Sequence, residues 1–406
     1  MTTEYACPVL STADAIASAR ELAADFAKGA ADRDRNRALP FAELDRLSAS
    51  GLLAITVPTE LGGADLPPSA VAEVFRILAT ADPNIAQIPH SHFVYVNLLR
   101  LAGSPDQKAH WCDQLLRGAR IANAQAERNG PTAADVATTL TPVDGGRFRV
   151  DGTKYYCTGS VFADVLAVLT VLDDPDGSSG LPAGQYVAFL PADTPGVKIL
   201  DDWDALGQRT TASGTIVFDG VTVDGAHVIA RAAAVNAPTG YGAFAQLMHA
   251  AIDLGIARGA LEAAAAFVRE KSRPWFEAGV TRAIDDPLLI QRFGELAVTV
   301  AAAEAAFGVA GSALDTVMHA GHSAEQAAEA SLAVATAKTL ADKASTEVSS
   351  ALFELGGTRS TAVDLNLSHF WRNARTHTVH DPIRWKYQHI GRALLHGTPP
   401  PLHSAI

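Results

Sequence analysis

The sequence predicts an α+β protein in which helical N-terminal and C-terminal parts flank a β-rich centre. Apolar residues recur at helical spacing up to about residue 118. Turn signals then separate short apolar runs between about 119 and 230, and alanine with Glu, Lys and Leu dominates residues 295–352. We therefore expect an N-terminal helical domain at 1–118, a central β-barrel or β-sandwich domain at 119–230 and a C-terminal helical bundle at 231–406.

The N-terminal part shows the spacing of amphipathic helices. Ala13, Ile16 and Ala17 share one helical face, and the same spacing returns at 41–47 and at 71–78. Paired glycines and paired prolines between the last two segments are breaks. Several helices joined by tight turns should result.

Short strands and turns alternate in the central part. Residues 147–150 alternate polar and apolar side chains between two Asp-Gly turn signals. Three further apolar or β-branched runs cover 165–171, 186–190 and 214–218. Turn residues recur at roughly ten-residue intervals, which is typical of a small sandwich or barrel.

A polar segment at 370–382 stands out near the end of the helical C-terminal part. On a helix, His377 and His380 lie three apart and share a face. Pro382 disfavours helical geometry at Asp381, so both histidines are expected in the last turn of that helix. The segment is either a functional site or an ordinary solvated helix end.

Composition excludes several classes of protein. Apolar residues make up 48% of the chain, as in a well-packed globular protein. With 32 basic against 44 acidic residues the net charge is −12, which argues against nucleic acid or an anionic membrane as a partner. We also expect no segment that crosses a bilayer.

Cysteine and histidine usage points to a cytoplasmic protein without a metal. Cys7, Cys112 and Cys157 are scattered and match neither a disulfide framework nor a zinc-binding spacing. The histidines form no HExxH motif or comparable ligand set.

Two polar segments are candidates for a binding site in the central part. Residues 207–215 bring several hydroxyl groups to the start of a strand, and residues 155–160 bring aromatic, thiol and hydroxyl groups to the end of another. The first is otherwise an ordinary Ser/Thr-rich turn, and the second an ordinary strand edge. Trp203 either caps the β core or forms the wall of a pocket for a planar ligand.

Other candidates lie in the helical parts. His90 and His92 flank Ser91 in a pattern that is more often structural than ligand-binding. Arg273 and Arg359 each follow a turn-like segment, and either could hold a phosphate or make a structural ion pair.

Taken together, these segments resemble the acyl-CoA dehydrogenase superfamily over nearly the whole chain. Residues 152–154, 207–209 and 354–357 occur in the family's order. The resemblance implies an acyl-CoA dehydrogenase-like fold with a helical N-terminal domain, a central β-domain and a C-terminal four-helix bundle.

More narrowly, the chain is similar to the flavin-dependent monooxygenase branch, which includes dibenzothiophene monooxygenases and sulfur-acquisition oxidoreductases. Residues 201–203, 207–215, 273–275 and 371–382 carry this similarity. It implies a two-component enzyme that uses reduced FMN and O₂, through a flavin C4a-hydroperoxide, to oxygenate a small organic substrate, with an organosulfur compound as the favoured class. It also implies a homotetramer supplied by a separate flavin reductase, and the chain itself has no dinucleotide-binding GxGxxG motif.

The resemblance assigns catalytic roles to four residues. Thr158 is expected at flavin N5 and O4, and His92 and Asn123 along the side where oxygen reacts. His380 would hold or deliver a proton, a role that a helix C-terminus favours.

Cofactor binding is assigned by the same resemblance. Asn123 and Thr158 would touch the flavin, and Trp203 would wall it. The phosphate would lie on Arg273 and, from a neighbouring subunit, on Arg359. His377 completes the set of expected cofactor-binding residues.

Three alternatives remain open at this point. An FAD-dependent acyl-CoA dehydrogenase would use Asp381 as its base, because the resemblance places Asp381 where dehydrogenases carry their catalytic glutamate. A hydroxylase of aromatic carbon would use the same oxygen chemistry. A non-catalytic member of the fold would bind no flavin.

The substrate pocket has four candidate lining residues, Tyr95, Phe244, Met248 and His249, although an apolar stripe is more often core.

Overall fold

The computed structural model of the chain describes residues 7–128, 130–132, 134–320, 323–403 and 406. Within them, helices precede and follow a single sheet, as predicted. The helices before the sheet are α1 Thr12–Phe26, α2 Ala30–Asn36, α3 Phe41–Ala49, α4 Pro68–Ala81, α5 Pro83–Gln87, α6 His90–Ala102 and α7 Pro105–Leu116. The helices after it are α8 Ala232–Val235, α9 Tyr241–Lys271, α10 Pro287–Ala320, α11 Ala324–Gly356, α12 Ser368–His377 and α13 Arg384–His396.

The described strands form one sheet in the order β6-β7-β3-β2-β4-β5-β8, with β1 paired in parallel to β4. The strands are β1 Ile121–Ala124, β2 Thr139–Val143, β3 Arg147–Cys157, β4 Val165–Leu172, β5 Gln185–Pro191, β6 Val197–Leu200, β7 Gly214–Asp224 and β8 Val228–Ala230. Four of them, β3, β4, β5 and β7, contain the runs predicted from the sequence. The other four are short and carry little periodic signal.

Strand β4 is apolar throughout because both of its faces are buried. Successive side chains of a strand point to opposite faces. Val165 and Ala167 therefore join the core shared with the helices, while Leu166 and Val168 join a separate core inside the sheet. This second core draws side chains from both halves of the strand order, including Phe218 of β7 and Tyr186 of β5, as a curled sheet requires.

Helix α9 is the central helix of the C-terminal bundle. It is apolar on all sides, and every residue from Tyr241 to Ala257 is buried, as expected for a helix surrounded by others. A Cβ at Gly255 would lie 2.5 Å from Cβ of Ala79, so glycine lets α4 cross α9 closely. Alanine-rich α10 and α11 also pack against α9.

Helix α10 leaves much of its apolar surface uncovered. By length and composition alone, Pro287–Met318 could cross a membrane, which was not expected from the sequence. In the structure, 33% of its most apolar stretch is buried against the rest of the chain. Val298 and Val309 are 69% and 65% exposed. Arg258 of α9 pairs with Glu304 at 2.7 Å, which holds α10 against the bundle.

The helix that carries the C-terminal polar segment is shorter than predicted. Helix α12 ends at His377, and His380 lies in the turn that follows, where its N–H donates to the His377 carbonyl at 3.0 Å. The expectation that both histidines share the last helical turn is therefore wrong. The chain leaves the helix several residues ahead of Pro382 rather than at it.

Candidate functional site

The start of helix α6 connects the sheet with helix α9. His90 Nε2 lies 3.0 Å from the Ala245 carbonyl oxygen of α9, and the His90 ring stacks on His249 with 3.9 Å between centroids. The next residue, Ser91, donates its hydroxyl hydrogen to Asn123 Oδ1 at 2.9 Å. Since Ser91 engages the amide oxygen, the amide N–H₂ of Asn123 remains as a donor at the end of β1.

His92 points away from this junction and is fully committed to the backbone. Its Nε2 donates to the Leu53 carbonyl at 2.8 Å, and its Nδ1 accepts from the Ile121 N–H at 3.1 Å. Burial lowers the pKa of His92 to about 4, with the Leu53 hydrogen bond acting in the opposite direction. The neutral ring therefore has no nitrogen left for a ligand, which differs from the oxygen-side role expected for His92.

Three hydroxyl groups form a directed chain beneath Thr158. Thr158 Oγ1 and Thr211 Oγ1 each lie 2.8 Å from Ser213 Oγ, and Thr211 donates to the Gln208 carbonyl at 2.9 Å. A carbonyl only accepts, so the single proton of Thr211 is spent there. Ser213 must then donate to Thr211, and Thr158 must donate to Ser213. Thr158 Oγ1 consequently offers lone pairs, but no proton, to anything that binds above it.

The loop at 207–213, which contributes Thr211 and Ser213 to these hydroxyl groups, is hydrogen-bonded to helix α12. The Gln208 N–H donates to Asn373 Oδ1 at 2.7 Å, and Trp203 Nε1 donates to the Gln208 carbonyl at 2.8 Å. A Cβ at Gly207 would lie only 2.0 Å from the Arg372 carbonyl oxygen. Glycine at 207 is therefore a condition for this contact between the loop and α12.

Backbone strain and aromatic surface mark the same region. Tyr156, Gln208 and Ala212 adopt left-handed backbone conformations with φ of 57°, 50° and 48°. A left-handed backbone conformation costs free energy in any residue other than glycine, and such residues cluster at functional sites. The half-exposed Tyr156 ring lies edge-on to Trp203 at 6.2 Å between centroids, which presents aromatic surface beside Thr158.

Several buried polar atoms here have no hydrogen-bond partner among the described residues. They are both side-chain amide atoms of Gln208, Oγ1 of Thr210 and Nδ2 of Asn373. An unpaired buried polar group typically costs about 1–3 kcal/mol, so such atoms usually adjoin a ligand or ordered water. Their concentration around residue 208 supports a binding function for the loop.

A chain of buried ionisable side chains begins one helical turn further along α12, at His377. His377 Nδ1 is 2.6 Å from Asp253 Oδ1, and His377 Nε2 is 3.0 Å from Nδ1 of His249. Lys338 Nζ donates to Asp253 Oδ2 at 2.8 Å. Both nitrogens of His377 are thus occupied by protein groups, which leaves neither of them for the cofactor contact expected of this residue.

His380 and Asp381 close the site after the end of α12. The His380 ring lies 4.3 Å from that of His249, and its side chain is 51% exposed. Asp381 Oδ2 is 2.7 Å from Lys386 Nζ, and Oδ1 is 3.4 Å from His380 Nδ1. Burial would raise the pKa of Asp381, but the His380 hydrogen bond and the Lys386 and Lys338 charges outweigh it and hold the pKa below its ordinary value.

The two arginines expected at the flavin phosphate lie near the C-terminal end of α9. Arg273 is exposed just beyond the end of α9, and Arg359, also exposed, donates to the Lys271 carbonyl near the same point. A rise of about 1.5 Å per residue puts Lys271 about 33 Å along α9 from His249. The arginines of one chain therefore lie close to each other and far from the histidines of that chain.

Sequence reasoning did not single out Asp253 or Lys338. The signal was available for Asp253, because it is the one Asp, Glu, Lys or Arg between residues 241 and 257 of the sequence, in an otherwise apolar helix. A carboxylate in such a place must be paired, and its partner could not be read from the sequence.

Comparison with known proteins identifies the family. The models of the acyl-CoA dehydrogenase N-terminal, middle and C-terminal domains match residues 13–119, 123–221 and 247–385. The chain belongs to the acyl-CoA dehydrogenase family. Within that family it falls in the flavin-dependent monooxygenase branch, as the relatives it matches show, so both levels of the predicted resemblance are confirmed.

Three similar proteins define this branch. Dibenzothiophene monooxygenase of Rhodococcus qingshengii is 34% identical over 398 residues, covering 95% of this chain and 94% of that protein. A probable FMNH2-dependent monooxygenase, SfnC, of Pseudomonas putida is 31% identical over 392 residues, covering 95% and 96%. The crystal structure of FMN-bound TdsC from Paenibacillus sp. A11-2 superposes with a TM-score of 0.91 at 33% identity, covering 97% of this chain and all (100%) of TdsC.

Proposed function

We propose that this protein is a monooxygenase that uses reduced FMN and O₂ to place one oxygen atom on a small organosulfur compound. The observation that carries the proposal is the direction of the hydroxyl chain below Thr158. Reduced flavin bears a hydrogen on N5 and needs an acceptor there, whereas oxidised flavin needs a donor. With its proton committed to Ser213, Thr158 is an acceptor and suits the reduced form.

The residues around Thr158 fit a flavin. The aromatic surfaces of Tyr156 and Trp203 suit a planar ring system, and the unpaired amide of Gln208 supplies further polar atoms. When bound, reduced FMN supplies the electrons that activate O₂ for transfer of one oxygen atom. Thr158 would hold N5, and Asn123, oriented by Ser91, would donate its amide hydrogens on the side facing α6.

The histidines would manage protons beside the flavin. His380 is partly exposed and contacts His249, so it can exchange protons with solvent and stay next to the buried cluster. We assign His92 a structural role, since both of its nitrogens bind backbone groups. His377 would act through His249 and Asp253 rather than by touching the cofactor.

Dehydrogenase chemistry with Asp381 as base has little support. An effective general base has a pKa near the working pH. The pKa of Asp381 is instead held below its ordinary value, and the carboxylate is bound to Lys386 at 2.7 Å. A carboxylate committed in this way is a poor acceptor for the proton of an acyl thioester.

Assembly into a homotetramer would complete the cofactor site. Arg273 and Arg359 lie too far from His249 of their own chain for the ribityl arm of FMN to bridge them, so they would serve the flavin of a neighbouring subunit. The uncovered apolar face of α10 gives that subunit a surface to pack on. Reduced FMN would come from a separate flavin reductase, and the three free thiols fit a cytoplasmic location.

The first experiment measures flavin preference and oxygen transfer together. The protein is titrated anaerobically with reduced FMN, oxidised FMN and FAD, and the reduced complex is then mixed with O₂ and dibenzothiophene as a probe substrate. Tight binding of reduced FMN and formation of a sulfoxide or sulfone are expected. Tight FAD binding with flavin bleaching by an acyl-CoA would instead assign the protein to the dehydrogenases.

Shared sites can be tested by mixing two inactive variants. Thr158→Val disables the flavin ring site of its own chain, and Arg273→Ala disables the phosphate site offered to a neighbour. If sites are built between subunits, co-assembled variants regain part of the activity, because some sites contain neither substitution. If each chain builds its own site, the mixture stays as inactive as its components.

A further inference from the structure

We propose that Asp253, His377 and His249 form a buried proton store that presents its proton at Nε2 of His249. The three side chains are joined at 2.6 and 3.0 Å, and Lys338 fixes the far carboxylate oxygen at 2.8 Å. All four are buried, and neither the flavin contacts nor the phosphate contacts use them. The inference rests on the proposed function, because it supplies a proton that monooxygenation requires.

The hydrogen-bond pattern allows two protonation states. The carboxylate of Asp253 accepts from His377 Nδ1–H in both. In the unloaded state His377 Nε2 is bare, so His249 donates to it through Nδ1–H and keeps a lone pair at Nε2. Adding one proton reverses the link: His377 Nε2–H donates to His249 Nδ1, and His249 carries its own hydrogen at Nε2.

The positive charge of the loaded state stays on His377, beside the Asp253 carboxylate. Burial lowers the pKa of His249 well below its ordinary value, and charge on His90, His380, His377 and Lys338 lowers it further. His249 therefore stays neutral in both states while it passes the proton. This arrangement lets a group that resists becoming an imidazolium act as a donor.

The ion pairs of Asp253 keep its carboxylate ionised, so that it can accept the His377 hydrogen bond in both protonation states. Burial would raise the pKa of Asp253, but the His377 and Lys338 charges outweigh it and lower the pKa, so the carboxylate stays ionised. Removing Lys338 would leave a buried acid without a counter-charge, which favours moving the His377 proton onto it. Asp253 and Lys338 are therefore positioning residues, and His249 is the donor.

His249 is placed next to the residues expected on the side of the flavin where oxygen reacts. Its ring lies between His90, which adjoins the Ser91–Asn123 pair, and the partly exposed His380. Monooxygenation sends one oxygen atom of O₂ to water, and that oxygen must be protonated. His249 would give its Nε2 proton to this oxygen and take the His377 Nε2 proton on Nδ1, which leaves both rings neutral. No electrons move in the step.

The test compares Asp253→Asn with the control Asp342→Asn. Asp342 is another acidic neighbour of Lys338, at 3.9 Å, and lies outside the proton store. The first readout is nitrogen NMR of the ¹⁵N-histidine-labelled, flavin-free protein, with His249→Gln and His377→Gln used for assignment. In the wild type and the control, protonation on lowering the pH should give an imidazolium at His377 and move the hydrogen of a neutral His249 from Nδ1 to Nε2. Asp253→Asn should lose both changes.

The second readout is the pH profile of oxygenation by the enzyme loaded with reduced FMN. Without the store, protons must come from solvent, so the rate of Asp253→Asn should fall by up to tenfold per pH unit as pH rises, about 10²-fold or more below the wild type at high pH. The control should follow the wild type. If Asp253→Asn does not fold, His377→Gln is measured instead, with the same expected profile.

Unchanged His249 hydrogen placement and an unchanged pH profile in Asp253→Asn or His377→Gln would overturn the proton store. The NMR result stands apart from turnover. If the wild type shows the switch at His249 but oxygenates no substrate with reduced FMN, the proposed function fails and the hydrogen-bond chain is retained. If it oxygenates without the switch, the proposed function is retained and the proton store is rejected.

Discussion

The backbone N–H of Gln208 donates a 2.7 Å hydrogen bond to Asn373 Oδ1, one helical turn before His377. Residues four apart on a helix share a face. The same face of α12 therefore holds the loop with the hydroxyl chain and the histidine that pairs with Asp253. One helix therefore positions both the loop below Thr158 and the histidine that passes a proton to His249, so a shift of α12 would move both.

Asn373→Ala tests this coupling. The change leaves the buried Gln208 N–H without its acceptor, which should lower the free energy of unfolding by about 1–3 kcal/mol. It should also weaken reduced-FMN binding, because the loop that orients Ser213 is released. Urea unfolding and anaerobic titration measure the two effects. Asn373→Asp retains the acceptor oxygen and should restore reduced-FMN affinity; equal losses in both variants would show that the hydrogen bond is not responsible.

Ser213→Ala tests the direction of the hydroxyl chain. Without Ser213, Thr158 can turn its proton toward flavin N5, which suits oxidised rather than reduced FMN. The ratio of oxidised to reduced Kd should fall by roughly 3- to 10-fold, the worth of one hydrogen bond. Thr170→Val is the control, since Thr170 Oγ1 is also buried but donates to the Tyr186 carbonyl and lies outside this hydroxyl chain. An unchanged ratio in Ser213→Ala would remove the structural argument for reduced flavin.

Much of the fold was predictable because periodicity is a local signal. The long helices and the strands at 147–157, 165–172, 185–191 and 214–224 follow directly from apolar spacing and turns. The end of α12 could not be predicted in this way. Pro382 only sets a limit beyond which the helix cannot continue, and the helix ends several residues before that limit. The predicted end of the helix was consequently about one turn too late, so that His380 was wrongly included in it.

The site was predictable only where motifs carry it. Thr158 and residues 207–215 were both singled out, and the structure brings them into contact. The hydrogen bonds of the His92 ring could not be predicted, because its partners are backbone groups of Leu53 and Ile121, which only tertiary packing brings together. The pairing of His377 with Asp253 likewise joins two helices that are distant in sequence.

His92→Leu should destabilise the fold and spare the chemistry. Leucine fills a similar volume but leaves the Leu53 carbonyl and the Ile121 N–H unpaired, so the free energy of unfolding should drop by about 2 kcal/mol or more. Chemical denaturation measures the loss, and titration of the folded protein with reduced FMN should give a Kd near that of the wild type. His396→Gln, at an exposed position of α13, should change neither. Loss of flavin binding without loss of stability would instead support the role first expected for His92, on the side of the flavin where oxygen reacts.

Asp342→Asn should stabilise the protein at neutral and alkaline pH. Burial raises the pKa of Asp342 to about 6, Lys338 opposes this, and Asp253 adds to it. Because the folded state holds this proton more tightly than the unfolded chain, the stabilisation is complete below pH 3.8 and is lost as pH rises through about 6. Asparagine keeps the neutral shape at every pH, so the increase in Tm over the wild type should be larger at pH 7.5 than at pH 5. Asp364→Asn, an exposed change, should show no such difference. A gain that is equal at both pH values, or absent, would mean that Asp342 ionises normally in the folded protein.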